Sequence, residues 1–139
     1  MKKLNCILLV DDDNDCNYLH KRVLKKTQCA ERIEVVNDGE QALHFLKTAV
    51  HGKYPCPDLI LLDINMPGMN GWEFLEEYEK LDSEVRAKIV LVMLTSSVSP
   101  DDEARAQKMG SLGGFRRKYL TEESIKDIIC TYFPENVRV

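Results

Sequence analysis

The chain contains several short runs of apolar residues, each bounded by polar or turn-forming residues. A short, unbroken apolar run is typical of a strand that is buried on both faces of a parallel sheet. The run that ends at Asp63 is the clearest case, because the chain then turns through Asn65, Pro67, Gly68 and Gly71. This pattern predicts strands over residues 5–10, 33–36, 59–62, 88–94 and 113–117.

The segments between these runs carry apolar residues at helical spacing. Leu19 and Val23, for example, lie one turn apart in the first of them. Helix-starting residues precede three segments: Asp38 with Gln41 in a capping-box pattern, Ser99 before Pro100, and Thr121. Helices are therefore predicted over residues 15–27, 38–49, 72–81, 99–110 and 121–132, the last closed by Pro134.

Strand and helix alternate five times, without a repeat or a linker. This alternation predicts a doubly wound α/β fold, in which helices cover both faces of a parallel sheet. Right-handed crossovers leave few arrangements, and a five-stranded sheet in the order 2-1-3-4-5 is favoured. We expect a single domain over residues 1–139 with no output domain.

The composition and charge of the chain argue against several classes of function. The net charge is −4 with a pI of about 5.4, and the chain has no dense basic block, so a nucleic-acid partner is not expected. Its apolar runs are too short to cross a membrane. Five scattered cysteines favour a reducing cytoplasm. His20, His44 and His51 lack partners at ligand spacing and are expected to be surface or core residues.

Polar residues follow the carboxyl ends of four of the five predicted strands. They are Asp11, Asp12, Asp63, Thr95 and Lys118. In such a sheet these ends meet at one edge, at the switch point between strands 1 and 3. Clustered carboxylates imply a hard cation such as Mg²⁺, which binds together with phosphate oxygens. A carboxylate beside this metal can accept a phosphoryl group.

Four motifs together carry a family resemblance. They are Val10-Asp11-Asp12, the stretch from Leu62 to Gly71 around Asp63, Leu94-Thr95-Ser96, and Lys118. As an ordered set, they resemble the receiver domain of two-component response regulators, in particular the chemotaxis-type single-domain receivers. The resemblance covers essentially the whole chain and implies a flavodoxin-like, three-layer α/β/α fold.

The resemblance implies that Asp63 is the phosphoacceptor, which receives its phosphoryl group from a phosphohistidine on a sensor histidine kinase. Asp12 and Asp63 would bind Mg²⁺ directly, with the backbone carbonyl of Asn65 as a third protein ligand and Asp11 acting through water. Such a domain would not be a conventional enzyme. It would catalyse only its own phosphorylation and dephosphorylation.

The resemblance also implies how the signal is passed on. Lys118 would pair with Asp63 at rest and with the phosphoryl group afterwards, Thr95 would hydrogen-bond that group, and Phe115 would rotate inward. Further implied roles are an open phosphoryl entrance at Ser96 and tuning of dephosphorylation by Asn65 and Ser97. The switched surface would comprise the fourth and fifth predicted helices and the fifth strand. It would bind a phosphotransfer protein or a downstream target, or a second copy of the chain.

The segment around Lys118 departs from the family pattern. Tyr119 stands where a proline usually follows the lysine, and Arg116 and Arg117 replace apolar residues. One arginine is expected to face solvent at the sheet edge, and the other to pair with a carboxylate or extend to solvent. The spacing from Phe115 and Thr121 favours Lys118 as the residue that reaches the site.

Other readings of the acidic residues remain as alternatives. The chain could be a receiver-like interaction module that is not phosphorylated. It could also be a phosphatase of the haloacid dehalogenase type, because Asp11 and Asp13 form an Asp-x-Asp after a strand, although that class leaves the Asp63 turn unexplained. A calcium loop is excluded, since Cys16 stands where the loop requires glycine and Arg22 where it requires a bidentate glutamate.

Overall fold

The computed structural model describes residues 2–86, 89–96, 99–109 and 112–137. The strands of the described chain are β1 (Leu4–Val10), β2 (Ala30–Val36), β3 (Leu59–Asp63), β4 (Val90–Thr95) and β5 (Leu112–Arg117). Its helices are α1 (Asn14–Thr27), α2 (Gly39–Lys47), α3 (Gly71–Glu79), α4 (Ser83–Arg86), α5 (Pro100–Lys108), α6 (Glu122–Tyr132) and α7 (Pro134–Val137). No helix in these ranges combines the length and apolar character needed to cross a membrane.

The strands form one parallel sheet in the order β2-β1-β3-β4-β5, which confirms the predicted topology. Strand β1 pairs with β2 on one side and with β3, the central strand, on the other. The chain therefore changes direction across the sheet between β1 and β3. In a doubly wound fold, this places a crevice beyond the carboxyl ends of these two strands.

Two apolar cores, one on each face of the sheet, explain the unbroken apolar runs. Leu8 and Val10 of β1 pack on the face covered by α2 and α3. Ile7 and Leu9, the alternate residues, pack on the face covered by α1 and α6. Because successive side chains of a strand point to opposite faces, a strand covered on both sides must be apolar throughout. Burial of each such side chain stabilises the fold by about 1.5–3 kcal/mol.

Helix α1 buries a different face from the one that its apolar residues indicated. Its buried residues are Cys16, Asn17, His20 and Leu24, whereas Leu19 is 48% exposed. The Leu19–Val23 spacing therefore does not mark the core-facing side of α1. Polar side chains occupy this side because it lies directly behind the acidic residues that follow β1, where they find hydrogen-bonding partners.

Side chains cap the starts of the longer helices. Ser99 and Thr121 accept hydrogen bonds from backbone N–H groups of α5 and α6, as the sequence predicted. Asp38 caps α2 in the same way. The Gln41 side chain, however, accepts from the N–H of Asn37, one residue before the cap, so the predicted capping box is not completed.

The structure differs from the predicted elements in three further places. β2 starts at Ala30, three residues earlier than predicted, and the short helix α4 was not predicted, so the fourth and fifth predicted helices are α5 and α6. Pro134 starts α7 instead of ending the helical part of the chain, because proline fits the first helical position. The predicted strand start at Lys88 and helix end at Gly110 lie outside the described residues.

Candidate functional site

The carboxyl ends of four strands bring the predicted polar residues together. Asp11 directly follows β1, Asp63 is the last residue of β3, and Thr95 is the last residue of β4. Lys118 follows β5, and its backbone N–H donates to the carbonyl of Thr95 at 2.8 Å. The parallel register between these strands therefore places three acids, a hydroxyl and an ammonium at one edge of the sheet.

Three carboxylates meet at this edge. One oxygen from each of Asp11, Asp12 and Asp63 can be chosen so that all three lie within 4.8 Å of one another. Asp11 and Asp63 are buried and Asp12 is exposed, so the cluster opens to solvent on the side of Asp12. Oxygen ligands of this kind suit Mg²⁺, and the clustered negative charge favours a cation among them.

Asp63 is held in an environment that disfavours its negative charge. Burial and the neighbouring Asp11 carboxylate raise the pKa of Asp63 to about 6, and Asp12 adds to this effect. The Lys118 ammonium and the N–H of Asn65, which donates to Asp63 Oδ1 at 3.4 Å, act in the opposite direction. Near neutral pH the carboxylate is largely ionised, yet it still lacks full compensation for its charge. A bound cation would supply that compensation.

Lys118 reaches the site and lies between two carboxylates. Its ammonium is 3.0 Å from Asp11 Oδ2 and 3.6 Å from Asp63 Oδ2, so its shorter contact is with Asp11 and not with Asp63 alone. Burial disfavours the ammonium, but the hydrogen bond to Asp11 and the charges of Asp63 and Asp11 outweigh burial and raise the pKa of Lys118 above its usual range. The side chain therefore stays charged.

The two arginines before Lys118 are accommodated outside the site. Arg117 is exposed, whereas the guanidinium of Arg116 donates to Asp127 at 3.0 Å and lies over the ring of Tyr132. The prediction that one arginine faces solvent and the other pairs with a carboxylate is therefore confirmed. The peptide bond between Lys118 and Tyr119 is cis.

The loop from Asp63 to α3 is packed tightly against its own start. The N–H of Gly71 donates to the carbonyl of Ile64 at 2.8 Å. A Cβ atom on Gly71 would lie 2.8 Å from Ile64 Cα and 3.0 Å from the carbonyl oxygen of Asp63, which are backbone atoms. Residue 71 must therefore be glycine for the loop to close in this way. The exposed Asn65 lies in the same loop.

Thr95, Ser96 and Phe115, predicted as switch and entrance residues, lie at the end of β4, directly after it, and in β5. Thr95 is buried and Ser96 is exposed, whereas Ser97 lies outside the described residues. Phe115 is half-buried, and its ring meets the edge of Trp72 with centroids 5.9 Å apart. The predicted switch residue is therefore in contact with the helix that follows the Asp63 loop.

Several residues at the site were not found by sequence reasoning. The amide of Asn17 donates to the backbone carbonyl of Asp11 at 2.8 Å, and the amide of Asn37 lies 3.4 Å from the same oxygen. Trp72 donates through its indole N–H to Asp102 at 3.2 Å and lies under the guanidinium of Arg105. Only the helical register of Trp72 gave a signal, because the other contacts join residues whose sequence spacing carries no recognisable pattern.

Comparison with known proteins identifies the family to which this fold and this site correspond. A family model described as a response regulator receiver domain matches residues 7–129, which include Asp11 through Lys118. The chain is 34% identical over 120 residues to the probable methanogenesis regulatory protein FilR2 of Methanothrix harundinacea, covering 86% of this chain and 76% of that protein. It is 29% identical over 128 residues to sporulation initiation phosphotransferase F of Bacillus subtilis, covering 92% and 93% of the two chains.

A solved structure shows the same architecture. A two-component response regulator from Cytophaga hutchinsonii matches with a TM-score of 0.83 and 29% sequence identity. The match covers 96% of this chain and 99% of that one. The likeness therefore extends over the sheet, the helices on both faces and the edge that carries the acidic residues.

Proposed function

This chain belongs to the family of response regulator receiver domains, and on that premise we propose that Asp63 accepts a phosphoryl group from a phosphohistidine of a sensor histidine kinase. Receiver domains are signalling phosphoacceptors and not conventional enzymes, and they bind Mg²⁺ at their acidic pocket. The proposal assigns these properties to named residues. The convergence of three carboxylates and the Lys118 ammonium at one sheet edge is the observation that supports it most directly.

In this proposal, the metal site is built around the three acids whose carboxylate oxygens converge, Asp11, Asp12 and Asp63. Asp12, Asp63 and the backbone carbonyl of Asn65 would hold Mg²⁺ directly, and Asp11 would act through water. When bound, Mg²⁺ neutralises negative charge on the carboxylates and on the incoming phosphoryl oxygens. The donor set fits this ion, because it consists of oxygen atoms and leaves room for water and phosphate ligands on the exposed side of Asp12.

The protein residues would position the reacting groups. An ionised oxygen of Asp63 would attack the phosphorus of a phosphohistidine whose other ring nitrogen is protonated. The bond between phosphorus and nitrogen would break with its electron pair on that nitrogen, leaving neutral histidine on the kinase. The Lys118 ammonium lies within 3.6 Å of the Asp63 carboxylate, so it can stabilise charge on the transferred phosphoryl oxygens without leaving the site. Ser96 would leave the entrance open, and Asn65 and Ser97 would tune the later attack of water.

Transfer of the signal would begin at Thr95 and Phe115. When the Thr95 hydroxyl moves to a phosphoryl oxygen, Phe115 would rotate into the vacated space. Phe115 lies against Trp72, which in turn contacts Asp102 and Arg105 of α5. A movement of Phe115 would therefore alter the surface formed by α5, β5 and α6, and a partner that binds one form of this surface better than the other would read the change.

We propose a cytoplasmic protein that acts through protein partners. Five scattered cysteines are typical of a reducing compartment. The upstream partner would be a histidine kinase. The downstream partner would be a target protein or, as the name of the Bacillus subtilis relative suggests, a phosphotransfer protein. Phosphorylation could also drive pairing of two copies through the surface of α5, β5 and α6.

The test is the intact mass of the protein after incubation with acetyl phosphate and Mg²⁺. We expect a single phosphoryl adduct that disappears on incubation in buffer and does not form in the presence of a chelator. Asp63→Asn should give no adduct, whereas Glu76→Gln, which changes an exposed acid on α3, should behave as wild type. The absence of an adduct, together with the absence of beryllofluoride binding, would overturn the proposal.

A further inference from the structure

Two polar residues of α1 lie buried directly behind the acidic cluster. Cys16 and His20 are each 1% exposed, and they lie one helical turn apart on the core-facing side of the helix. Polar atoms of Asp11, Cys16 and His20 all lie within 4.8 Å of one another. The functions proposed above for Asp11, Asp63 and Lys118 do not involve Cys16 or His20. The burial of these two residues of α1 therefore requires a separate explanation.

The contact with Leu120 defines the state of the His20 ring. The backbone N–H of Leu120 donates to His20 Nε2 at 3.2 Å, so Nε2 must carry a lone pair and not a hydrogen. In the neutral ring, the hydrogen then resides on Nδ1. Cys16 Sγ lies 3.6 Å from both ring nitrogens, so the contact with Leu120 alone selects this tautomer. Burial is the main cause that lowers the pKa of His20, which favours the neutral ring.

Cys16 also lies beside the acidic cluster, with its sulfur within 4.8 Å of a carboxylate oxygen of Asp11. Burial and this carboxylate raise the pKa of the Cys16 thiol to about 12, so the sulfur keeps its hydrogen. Asp11 in turn contacts the Lys118 ammonium at 3.0 Å. The contacts from Leu120 through His20 and Cys16 therefore lead to Asp11 and back to Lys118, which is two residues before Leu120.

A metal ion held by Asp11, Cys16 and His20 is the alternative use of these residues, and the geometry disfavours it. Coordination through Nδ1 would move the ring hydrogen to Nε2, where it would face the N–H of Leu120, donor against donor. Coordination through Nε2 would break the same hydrogen bond. Asp11 is moreover already compensated by Lys118. The burial of His20 is therefore better explained by its hydrogen bond with Leu120 than by a second metal site.

The hydrogen bond with His20 adds a polar contact to the loop after Lys118. Tyr119 is 60% exposed, so its side chain does not fix the loop in the core, although its ring meets His20 edge-on with centroids 5.9 Å apart. The backbone is instead held on both sides of Tyr119: Lys118 N–H donates to Thr95, and Leu120 N–H donates to His20. The Leu120 side chain is buried in the core, so loss of its N–H bond to His20 would loosen the segment that carries the ammonium without releasing it.

We propose that His20 is a positioning residue for Lys118, which it holds at the carboxylates through its hydrogen bond with the backbone of Leu120. The consequence for phosphorylation rests on the proposed function of Asp63. The hydrogen bond itself does not, because it is present in the unphosphorylated protein. Two measurements therefore separate the failure of one idea from the failure of the other.

The first measurement is the tautomer of His20 in the unphosphorylated protein, obtained from the ¹⁵N shifts of its imidazole. Free neutral imidazole favours the hydrogen on Nε2. We expect the opposite form for His20, with the hydrogen on Nδ1. The exposed His44 of α2 provides the reference in the same spectrum. A hydrogen on Nε2 of His20 would overturn the proposal whether or not Asp63 is phosphorylated.

The second measurement is the initial rate of phosphoryl incorporation from acetyl phosphate at saturating Mg²⁺. His20→Leu removes the acceptor for Leu120 and should lower the rate by about tenfold to a hundredfold, a typical effect of a misplaced catalytic group. His20→Gln offers an amide oxygen near the position of Nε2 and should stay close to the wild-type rate. His44→Leu and His44→Gln are the matched controls and should change nothing.

A double substitution tests whether His20 acts through Lys118. Lys118→Ala should lower the rate at least as far as His20→Leu does, and adding His20→Leu to it should cause no further loss. If His20→Leu lowers the rate of Lys118→Ala as much as it lowers the rate of wild type, or if His20→Leu alone has the wild-type rate, the proposal is overturned.

If His20→Leu does not fold, Cys16→Ala compared with Cys16→Ser tests the same contacts, with a reduced rate expected for alanine only. If the wild-type protein takes up no phosphoryl group, the proposed function fails. The tautomer of His20 still shows whether its hydrogen bond with Leu120 is present.

Discussion

The Lys118 ammonium lies 3.0 Å from Asp11 Oδ2, a shorter distance than the 3.6 Å that separates it from Asp63. The lysine thus sits between the carboxylate proposed to accept the phosphoryl group and a neighbour proposed to act on Mg²⁺ through water. In this position it partly compensates two buried negative charges before any cation arrives. It must also share these carboxylates with Mg²⁺ once the ion binds.

Removal of the Lys118 ammonium should therefore destabilise the metal-free protein. Lys118→Ala leaves Asp11 and Asp63 uncompensated, and we expect the free energy of unfolding in chelator to fall by about 1–3 kcal/mol. Mg²⁺ should restore part of this loss and should bind more tightly than to wild type, because its competitor is absent. Urea unfolding with and without Mg²⁺ measures both effects. Lys126→Ala, an exposed lysine on α6, is the control. An equal loss with and without Mg²⁺ would contradict the prediction.

The raised pKa of Asp63, about 6, predicts a dependence of Mg²⁺ binding on pH. Mg²⁺ requires the ionised carboxylate, so its affinity should be constant well above pH 6, should be about halved at pH 6 and should fall further below it. Below pH 6 the loss should approach tenfold per pH unit, because one proton is displaced for each ion bound. Calorimetric titration at several pH values provides the measurement. A constant affinity down to the ordinary pKa of a carboxyl group would show that Asp63 is not perturbed.

The raised pKa of Asp63 also predicts how the stability of the metal-free protein depends on pH. The folded-state pKa of Asp63 lies above its usual value of 3.8, so its ionisation costs stability above pH 6, and this cost declines as the pH falls toward 3.8. Asp63→Asn should therefore raise the free energy of unfolding in chelator by about 1–3 kcal/mol at neutral pH. The gain should shrink at pH 4.5, whereas Glu76→Gln should show no such trend. A loss of stability at neutral pH in Asp63→Asn would contradict this sign.

Gly71 should be required for the geometry of the Asp63 loop. In Gly71→Ala, the new Cβ would meet backbone atoms of Asp63 and Ile64 at 3.0 Å or less, so the loop must shift, with an expected loss of about 1–3 kcal/mol. The rate of phosphoryl incorporation should fall as well. Gly39→Ala is the matched control, because its new Cβ would meet the end of the flexible Met69 side chain, which can move. Equal effects of the two substitutions would contradict the packing argument.

Trp72 should report the proposed switch. It is the only tryptophan in the chain, and its ring contacts Phe115, the residue expected to rotate on phosphorylation. Beryllofluoride with Mg²⁺ should therefore change the Trp72 emission in wild type, and this change should be much smaller in Phe115→Leu. Unchanged emission in wild type that has demonstrably bound beryllofluoride would show that Phe115 stays in place.

The sheet and its acidic edge could be predicted from the sequence because both follow from local patterns. Unbroken apolar runs gave β1, β3 and β4, and the residues after them identified Asp11, Asp63 and Thr95. The buried side of α1 was not accessible, since a face built from Cys16, Asn17 and His20 has the composition of a surface, and its buried contacts involve residues as distant as Leu120. Sequence reasoning also missed that Asp11 is the nearer partner of Lys118. Sequence spacing predicts that Lys118 reaches this edge of the sheet, but it does not show whether Asp11 or Asp63 lies nearer.

The most direct test of the central claim is to locate the phosphoryl group. Borohydride reduction of an aspartyl phosphate converts that residue to homoserine, which peptide sequencing by mass spectrometry can place. After incubation with acetyl phosphate and Mg²⁺, we predict homoserine at position 63 and at neither Asp11 nor Asp12. Homoserine at either of those two positions, with residue 63 unchanged, would contradict the assignment of Asp63 as the acceptor.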